Sequence, residues 1–266
     1  MDRVIVLHSG GMSSRQWRRL VDRLRGAGLD AVAPDFRGHG DGPAWPDEPV
    51  GDFSFEVGSV EALIEGRTHL VGHSYGGLIA LLVARGRGDI ASVSVYEPIA
   101  LGTLFDAEDH EGLRDLDRLV GDPSFTDPAE LGTEAWLRRF VDYWSGEGAW
   151  DALGEGGQAS FRASAAAVAG SAAALAADRT PVAAYRSISA PLLILHGETS
   201  PVAALRASAL VAQGAPDARL QTIGGAGHMG PLTHRDAVND AIVRHIETAV
   251  RRSRHARTPR GPGAGP

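Results

Sequence analysis

The sequence predicts an α/β fold: a mostly parallel sheet with helices on both faces. Two observations carry this. Short apolar runs rich in β-branched residues alternate with segments of helical spacing, which is the pattern of a sheet covered on both faces. One of these runs, Thr68 to Val71, ends in Gly72-His73-Ser74-Tyr75-Gly76 and leads into the apolar stretch Leu78 to Ala84. Strand, sharp turn and buried helix form the context in which Gly-x-Ser-x-Gly marks a nucleophilic serine. A third observation concerns organisation. From about Ile99 to Tyr185 no strand pattern appears, so a helical insertion is expected to interrupt the sheet.

In chain order, Val4 to Leu7 reads as a strand buried on both faces, ending at His8-Ser9-Gly10-Gly11. Ser13 or Ser14 is placed to cap a helix carrying Trp17, Leu20, Val21 and Leu24. Leu29 to Ala33 is the next strand, followed by the loop Pro34 to Gly40 and an irregular Pro-rich stretch to Pro49. A helix around Glu56 to Glu65 leads into the strand before Ser74. Ile90 to Tyr96 is a strand ending at Glu97-Pro98. Within the insertion, Glu111 to Val120 and Thr133 to Trp144 have amphipathic helical spacing, and Gln158 to Ala177 is Ala-rich with high helix propensity. Strands resume at Pro191 to His196 and Arg219 to Ile223, and a last helix covers Asp236 to Val250. The expected organisation is therefore a core of residues 1–98 and 186–250, an insertion of residues 99–185 and a disordered tail of residues 251–266, rich in Arg, Gly and Pro.

Composition narrows the function. The 266 residues are 43% hydrophobic and 22% charged, with a net charge of −7, which argues against a nucleic acid or anionic membrane as partner. The absence of cysteine excludes a thiolate nucleophile, a disulfide framework and Cys-ligated zinc. The ten histidines show no metal-ligand spacing, so no metal and no cofactor are expected. No apolar run is long enough for a membrane span, and Met1 leads straight into a strand without a leader-like segment. A cytoplasmic protein acting on a small molecule is the expectation. Oligomeric state is not readable.

A serine hydroxyl needs a base within hydrogen-bond reach and a carboxylate to orient that base. His228, in the late loop Gly224-Gly225-Ala226-Gly227-His228, is the candidate base for Ser74. His234 is the rival. His8, His39 and His196 read as structural hydrogen-bonders. The residue after the serine, Tyr75, offers a backbone N–H at a helix start as one oxyanion donor.

These pieces resemble the α/β-hydrolase superfamily. The matching stretches are His8-Ser9-Gly10-Gly11 through Trp17, Asp35 to Gly40, Gly72 to Gly76, Pro191 to Gly197 and Gly225 to His228. The resemblance implies a sheet of about six strands and places the insertion where that family carries its helical cap. Tyr143, Trp144, Trp136 and Phe140 are then candidates to line the pocket, with plain packing as the competing role. It also implies Gly10 as the second oxyanion donor. The family usually supplies an Asp where this chain has Ser200, in Gly197-Glu198-Thr199-Ser200-Pro201. Some relatives carry the acid at the end of the preceding strand instead. That position is Glu97, preferred here over Glu198, with a site lacking any acid as the third possibility. The implied activity is serine hydrolysis of a small-molecule ester, thioester or related carbonyl through an acyl-enzyme. A C–C bond hydrolase, a cofactor-free haloperoxidase-like enzyme and a non-catalytic ligand-binding member are the alternatives.

Overall fold

The structure is a computed structural model that describes residues 1–46 and 52–257. Six strands form one sheet: β1 (Arg3–Leu7), β2 (Asp30–Val32), β3 (Thr68–His73), β4 (Ile90–Tyr96), β5 (Leu192–Gly197) and β6 (Ala218–Ile223). Their order is β2-β1-β3-β4-β5-β6, and every neighbouring pair is parallel. The strands fall where the apolar β-branched runs predict them. The chain first steps outward from β1 to β2, then crosses back to β3 and proceeds the other way. Between β1 and β3 the winding reverses, and a crevice opens there beyond the carboxyl ends of the strands.

Alternation along each strand divides the core into two layers. Ile5, Leu7, Leu70, Val93 and Ile194 face one side, against α2 (Ser54–Glu61) and α3 (Tyr75–Ala84). Val4, Val6, Val71, Leu193 and Leu195 face the other, against α1 (Arg18–Gly26) and the last helix. The first turn after β1 is a 3-10 helix, Ser14–Trp17, and neither serine caps it through its side chain as expected. The Asp35 carboxylate, arriving from the loop after β2, accepts the Ser14 N–H instead.

Between β4 and β5 the described chain contains no strand. It forms α4 (Gly102–Asp106), α5 (His110–Val120), α6 (Pro123–Thr126), α7 (Glu134–Ser145), α8 (Ala149–Ala152), α9 (Gly154–Ala163), α10 (Ala165–Ala177) and a 3-10 helix at Val182–Ser187. The Ala-rich run is two helices rather than one, broken at Ser164, whose hydroxyl bonds back to the Ser160 and Phe161 carbonyls. Buried Leu137, Val141, Trp150 and Val168 of this segment belong to the same apolar cluster as Leu78 and Ile79 of α3. The segment therefore shares its core with one face of the sheet.

After β5 comes α11 (Val202–Gly214), a helix the sequence reading leaves unassigned. Pro201 just ahead of an Ala- and Leu-rich run was the signal for it. After β6 come α12 (Gly230–Thr233) and α13 (Arg235–Arg257). The helix α13 continues seven residues into the segment expected to be disordered. The remainder of that expected tail, residues 258–266, lies outside the described residues, as does part of the Pro-rich stretch, residues 47–51. No helix among the described residues is long and apolar enough to cross a membrane.

Candidate active site

Ser74 sits between β3 and α3 with φ 56° and ψ −118°, a backbone conformation that costs a non-glycine residue ~1–3 kcal/mol. Packing holds it there. Its N–H donates to the Tyr96 carbonyl at 3.0 Å, and its carbonyl accepts the Leu78 N–H at 3.0 Å. The crossing of strand and helix is too close for side chains. A Cβ on Gly72 would lie 2.3 Å from the Gly76 carbonyl oxygen, and one on Gly76 would lie 2.4 Å from the His8 carbonyl oxygen. The two motif glycines are there for backbone proximity.

The structure brings Ser74, His228 and Glu97 together. The Ser74 hydroxyl faces His228 Nε2 at 3.0 Å, and His228 Nδ1 faces Glu97 Oε2 at 2.6 Å. His228 is 4% exposed and Glu97 is fully buried. Glu97 lies one residue past β4, at φ 43°, with its N–H tied to the Leu195 carbonyl at 2.8 Å. Its second oxygen, Oε1, accepts the Gly197 N–H at 2.6 Å and the Ser200 hydroxyl. A buried carboxylate with three donors is paired and hydrogen-bonded, which is what makes its burial tolerable. Ser200, at the position where the resemblance implies an Asp, is therefore a hydrogen-bond donor to Glu97. Glu198 is exposed and accepts the Gly225 N–H at 2.8 Å, so it braces the histidine loop without meeting the ring. His234 bonds its neighbour Thr233, at 3.0 Å, and does not join the group.

Several further buried residues, none of them a candidate by motif, position these three. His73 has both ring nitrogens engaged: Nε2 with the His228 carbonyl at 2.9 Å and Nδ1 with the Gln16 amide nitrogen at 3.0 Å. Burial pushes His73 well below the usual histidine range, so the ring is neutral, donates from Nε2 and accepts at Nδ1. The Gln16 carbonyl oxygen accepts the Ser9 N–H at 3.2 Å and the Ser9 hydroxyl at 3.2 Å. Tyr96 donates its hydroxyl to the Gly227 carbonyl at 2.7 Å. A continuous polar chain thus ties the loop after β1 to the loop carrying His228. Its only sequence signal is a cluster of polar residues at strand ends, where solvated loops look the same.

The loop after β1 presents Gly10 beside Ser74. The Gly10 N–H has no hydrogen-bond partner within the described protein, and the Tyr75 N–H begins α3, where no intrahelical acceptor exists. The Gly11 N–H is taken by His39 Nε2 at 3.0 Å, with His39 Nδ1 donating to the Arg37 carbonyl at 3.0 Å. Gly11 rather than Gly10 is the residue whose backbone demands glycine. It has φ 73°, and a Cβ would fall 2.1 Å from the Phe161 ring. His8 is also structural: Nδ1 donates to the Ser9 carbonyl at 2.7 Å and Nε2 accepts the Phe36 N–H at 3.0 Å. These bonds, with the ion pair between half-buried Arg37 and buried Glu56 at 3.1 Å, fix the Asp35 to Gly40 loop.

Ser74, Gly10, Tyr75 and His228 open on an apolar cavity of about 320 Å³, near the lower end of the range for small-molecule sites. Phe140 and Trp144 line it. Trp144 also packs on the His228 ring, with centroids 4.7 Å apart. Tyr143 lines an outer groove and donates its hydroxyl to Asp115 at 3.0 Å. Trp136 does not line the cavity. It stacks between Phe125 and Phe140, at 4.7 Å and 5.4 Å. Among the described residues, no group of three or more acidic or histidine side chains is placed to hold a metal ion.

Chemically, a hydroxyl facing an imidazole, whose far nitrogen meets a buried carboxylate, is equipped to give up its proton as it attacks. The unpartnered N–H groups of Gly10 and Tyr75, two residues that line one cavity with Ser74, are equipped to receive developing negative charge.

Comparison with known proteins agrees with this architecture. A family model described as the alpha/beta hydrolase family matches residues 4–241. A lipase of Mycobacterium tuberculosis, LipV, is 31% identical over 146 residues, which span 53% of this chain and 52% of that protein, about half its length. Among solved structures, an enol-lactonase from Burkholderia xenovorans superposes with a TM-score of 0.68 at 19% identity, covering 92% of this chain and 91% of that one. A bromoperoxidase from Bacillus anthracis gives 0.69 at 20% identity, covering 92% of each. The esterase RhEst1 from Rhodococcus sp. gives 0.67 at 23% identity, covering 93% and 91%. At such identities these structures speak to the fold alone. The family match over most of the sequence settles the lineage: the chain belongs to the alpha/beta hydrolase family.

Proposed function

We propose that the protein is a serine hydrolase that cleaves a small-molecule ester, thioester or related carbonyl compound through an acyl-enzyme on Ser74. The observation that carries this is the hydrogen-bonded line Ser74–His228–Glu97, buried beside two free backbone N–H groups. The half-length relation to a lipase supports an ester substrate.

In this mechanism Ser74 Oγ bonds to the carbonyl carbon as its proton passes to His228 Nε2. The carbonyl oxygen gathers negative charge between the Gly10 and Tyr75 N–H groups. Glu97 holds the Nδ1–H tautomer and stabilises the imidazolium. As the tetrahedral centre collapses, the bond to the leaving group breaks and the leaving atom takes the proton from Nε2. Water then loses a proton to His228, attacks the acyl carbon and releases the acid, and the proton returns to Ser74. No metal or cofactor enters this scheme. The helices between β4 and β5 roof the pocket as a cap, and the protein acts on its small-molecule substrate in the cytoplasm.

A fluorophosphonate probe tests the proposal, with the adduct mapped by mass spectrometry. Labelling at Ser74 that collapses in His228→Ala is expected. An intact, folded protein that neither takes the label nor hydrolyses any ester would refute it and favour a pocket that binds without reacting.

A further inference from the structure

Two apolar cavities meet behind Ser74. The first is the 320 Å³ chamber at the serine. The second, about 210 Å³, lies between α4, α5, α6 and α10, against Leu101, Phe105, Leu116, Leu119 and Val120. Ile99, Phe140, Trp144, Ala172 and Leu175 line both, so the partition is a single layer of side chains. No Asp, Glu, Lys or Arg side chain lines either cavity. Exposed Thr126 and Ala176 mark the outer rim of the second.

On the other side of Trp144 the surroundings change. An open groove of about 970 Å³ is lined by Arg118, Arg138, Arg139, Asp142 and Glu147. It reaches His228 but not Ser74, Gly10 or Tyr75, whereas the apolar chamber touches all four. This asymmetry separates the two halves of an ester. The leaving oxygen must take its proton from His228, the one of the four that borders both the chamber and the groove. The acyl carbon is bonded to Ser74, with its oxygen toward Gly10 and Tyr75, on the chamber side.

We propose that the substrate carries a linear aliphatic acyl chain that fills the first chamber and threads past Phe140 into the second, while the alcohol leaves by the charged groove. This rests on the reading of Ser74 as the acylated residue. Each methylene buried in such a site contributes about fourfold in kcat/KM, equivalent to ~0.8 kcal/mol. Preference therefore climbs with chain length across the partition.

The test uses two ester series below their aggregation limits. One varies the acyl group from acetyl through butyryl and hexanoyl to octanoyl on p-nitrophenol. The other varies the alcohol from ethyl to octyl on acetate. The wild-type protein is expected to favour octanoyl over acetyl by at least about tenfold. Ala172→Phe, which narrows the passage, lowers that ratio at least about tenfold, and Phe140→Ala raises it. The alkyl acetates show no matching change. Ala176→Phe, at an exposed helix position on the second cavity, repeats the test should Ala172→Phe fail to fold. A ratio unmoved by the folded blocking variants, or a wild-type preference for acetyl, overturns the inference while the hydrolase reading stands. Length dependence that appears only in the alcohol series overturns the orientation. Failure to hydrolyse any ester, with no label on Ser74, is the separate result that defeats the hydrolase reading itself.

Discussion

Glu97→Gln isolates the charge of the buried acid with almost no change in shape. The side-chain amide oxygen can still accept from Gly197 and Ser200, the partners of Oε1 in the native protein. Its NH₂ group then faces His228 Nδ1, where Oε2 stood at 2.6 Å. That contact is satisfied only if Nδ1 becomes the acceptor, which moves the ring proton to Nε2. Nε2–H would then point at the Ser74 hydroxyl, 3.0 Å away, and could not accept its proton. Inverting the tautomer of a triad histidine in this way lowers kcat by about 10³–10⁴, or ~4–5.5 kcal/mol of transition-state stabilisation. The assay is kcat and kcat/KM on a short-chain p-nitrophenyl ester, with the fluorophosphonate labelling rate measured in parallel and circular dichroism confirming the fold. Both rates should fall together, and Glu198→Gln should stay within a few-fold of wild type. A Glu97→Gln protein within about tenfold of wild type, beside an inactive Glu198→Gln, would refute the assignment.

Three further outcomes are expected. Adding Ser200→Asp to Glu97→Gln should recover at least about tenfold of the lost activity, because the Ser200 hydroxyl already reaches the carboxylate that serves His228; no recovery in steady-state kinetics would count against that proximity. Gly76→Ala should destabilise the protein by ~1–3 kcal/mol or more, read as a fall of several degrees in Tm, while Gly88→Ala, where a Cβ meets open space, should be silent. Burial pushes His8 and His69 down to about 4, so both stay neutral in the folded protein over a range where the unfolded chain is protonated. The unfolded chain binds the extra protons, so their stability contribution is complete above about pH 6.5 and is lost as pH falls toward 4. At pH 5 the two together should lower unfolding free energy by ~4 kcal/mol relative to neutral pH, and a urea midpoint equal at both pH values would contradict this.

The elements legible in the sequence are those whose cause is local. Val4-Ile5-Val6-Leu7 and Ile90 to Tyr96 are strands because continuous β-branched runs suit a sheet buried on both faces. Ser74 is legible because the glycines on either side report a backbone crossing within five residues. Two local expectations fail because distant or side-chain groups intervene. Ser164 divides a run that helix propensity alone reads as continuous, and Asp35, far along the chain, replaces the serine side-chain cap expected before Trp17.

The acid shows the boundary between the two kinds of information. Local sequence suffices for the sheet, the sharp turn at Ser74 and the late histidine loop, and the family resemblance narrows the acid to Glu97, Glu198 or none. Which carboxylate meets His228 is fixed by packing, because the pair is separated by 131 residues and the contact depends on β4 lying beside β5 in register. Exposed Glu198 and buried Glu97 differ by nothing in their local sequence that registers burial. The His73–Gln16–Ser9 chain and the paired apolar cavities are decided the same way, since hydrogen bonds and voids between distant segments exist only once packing has placed the segments together.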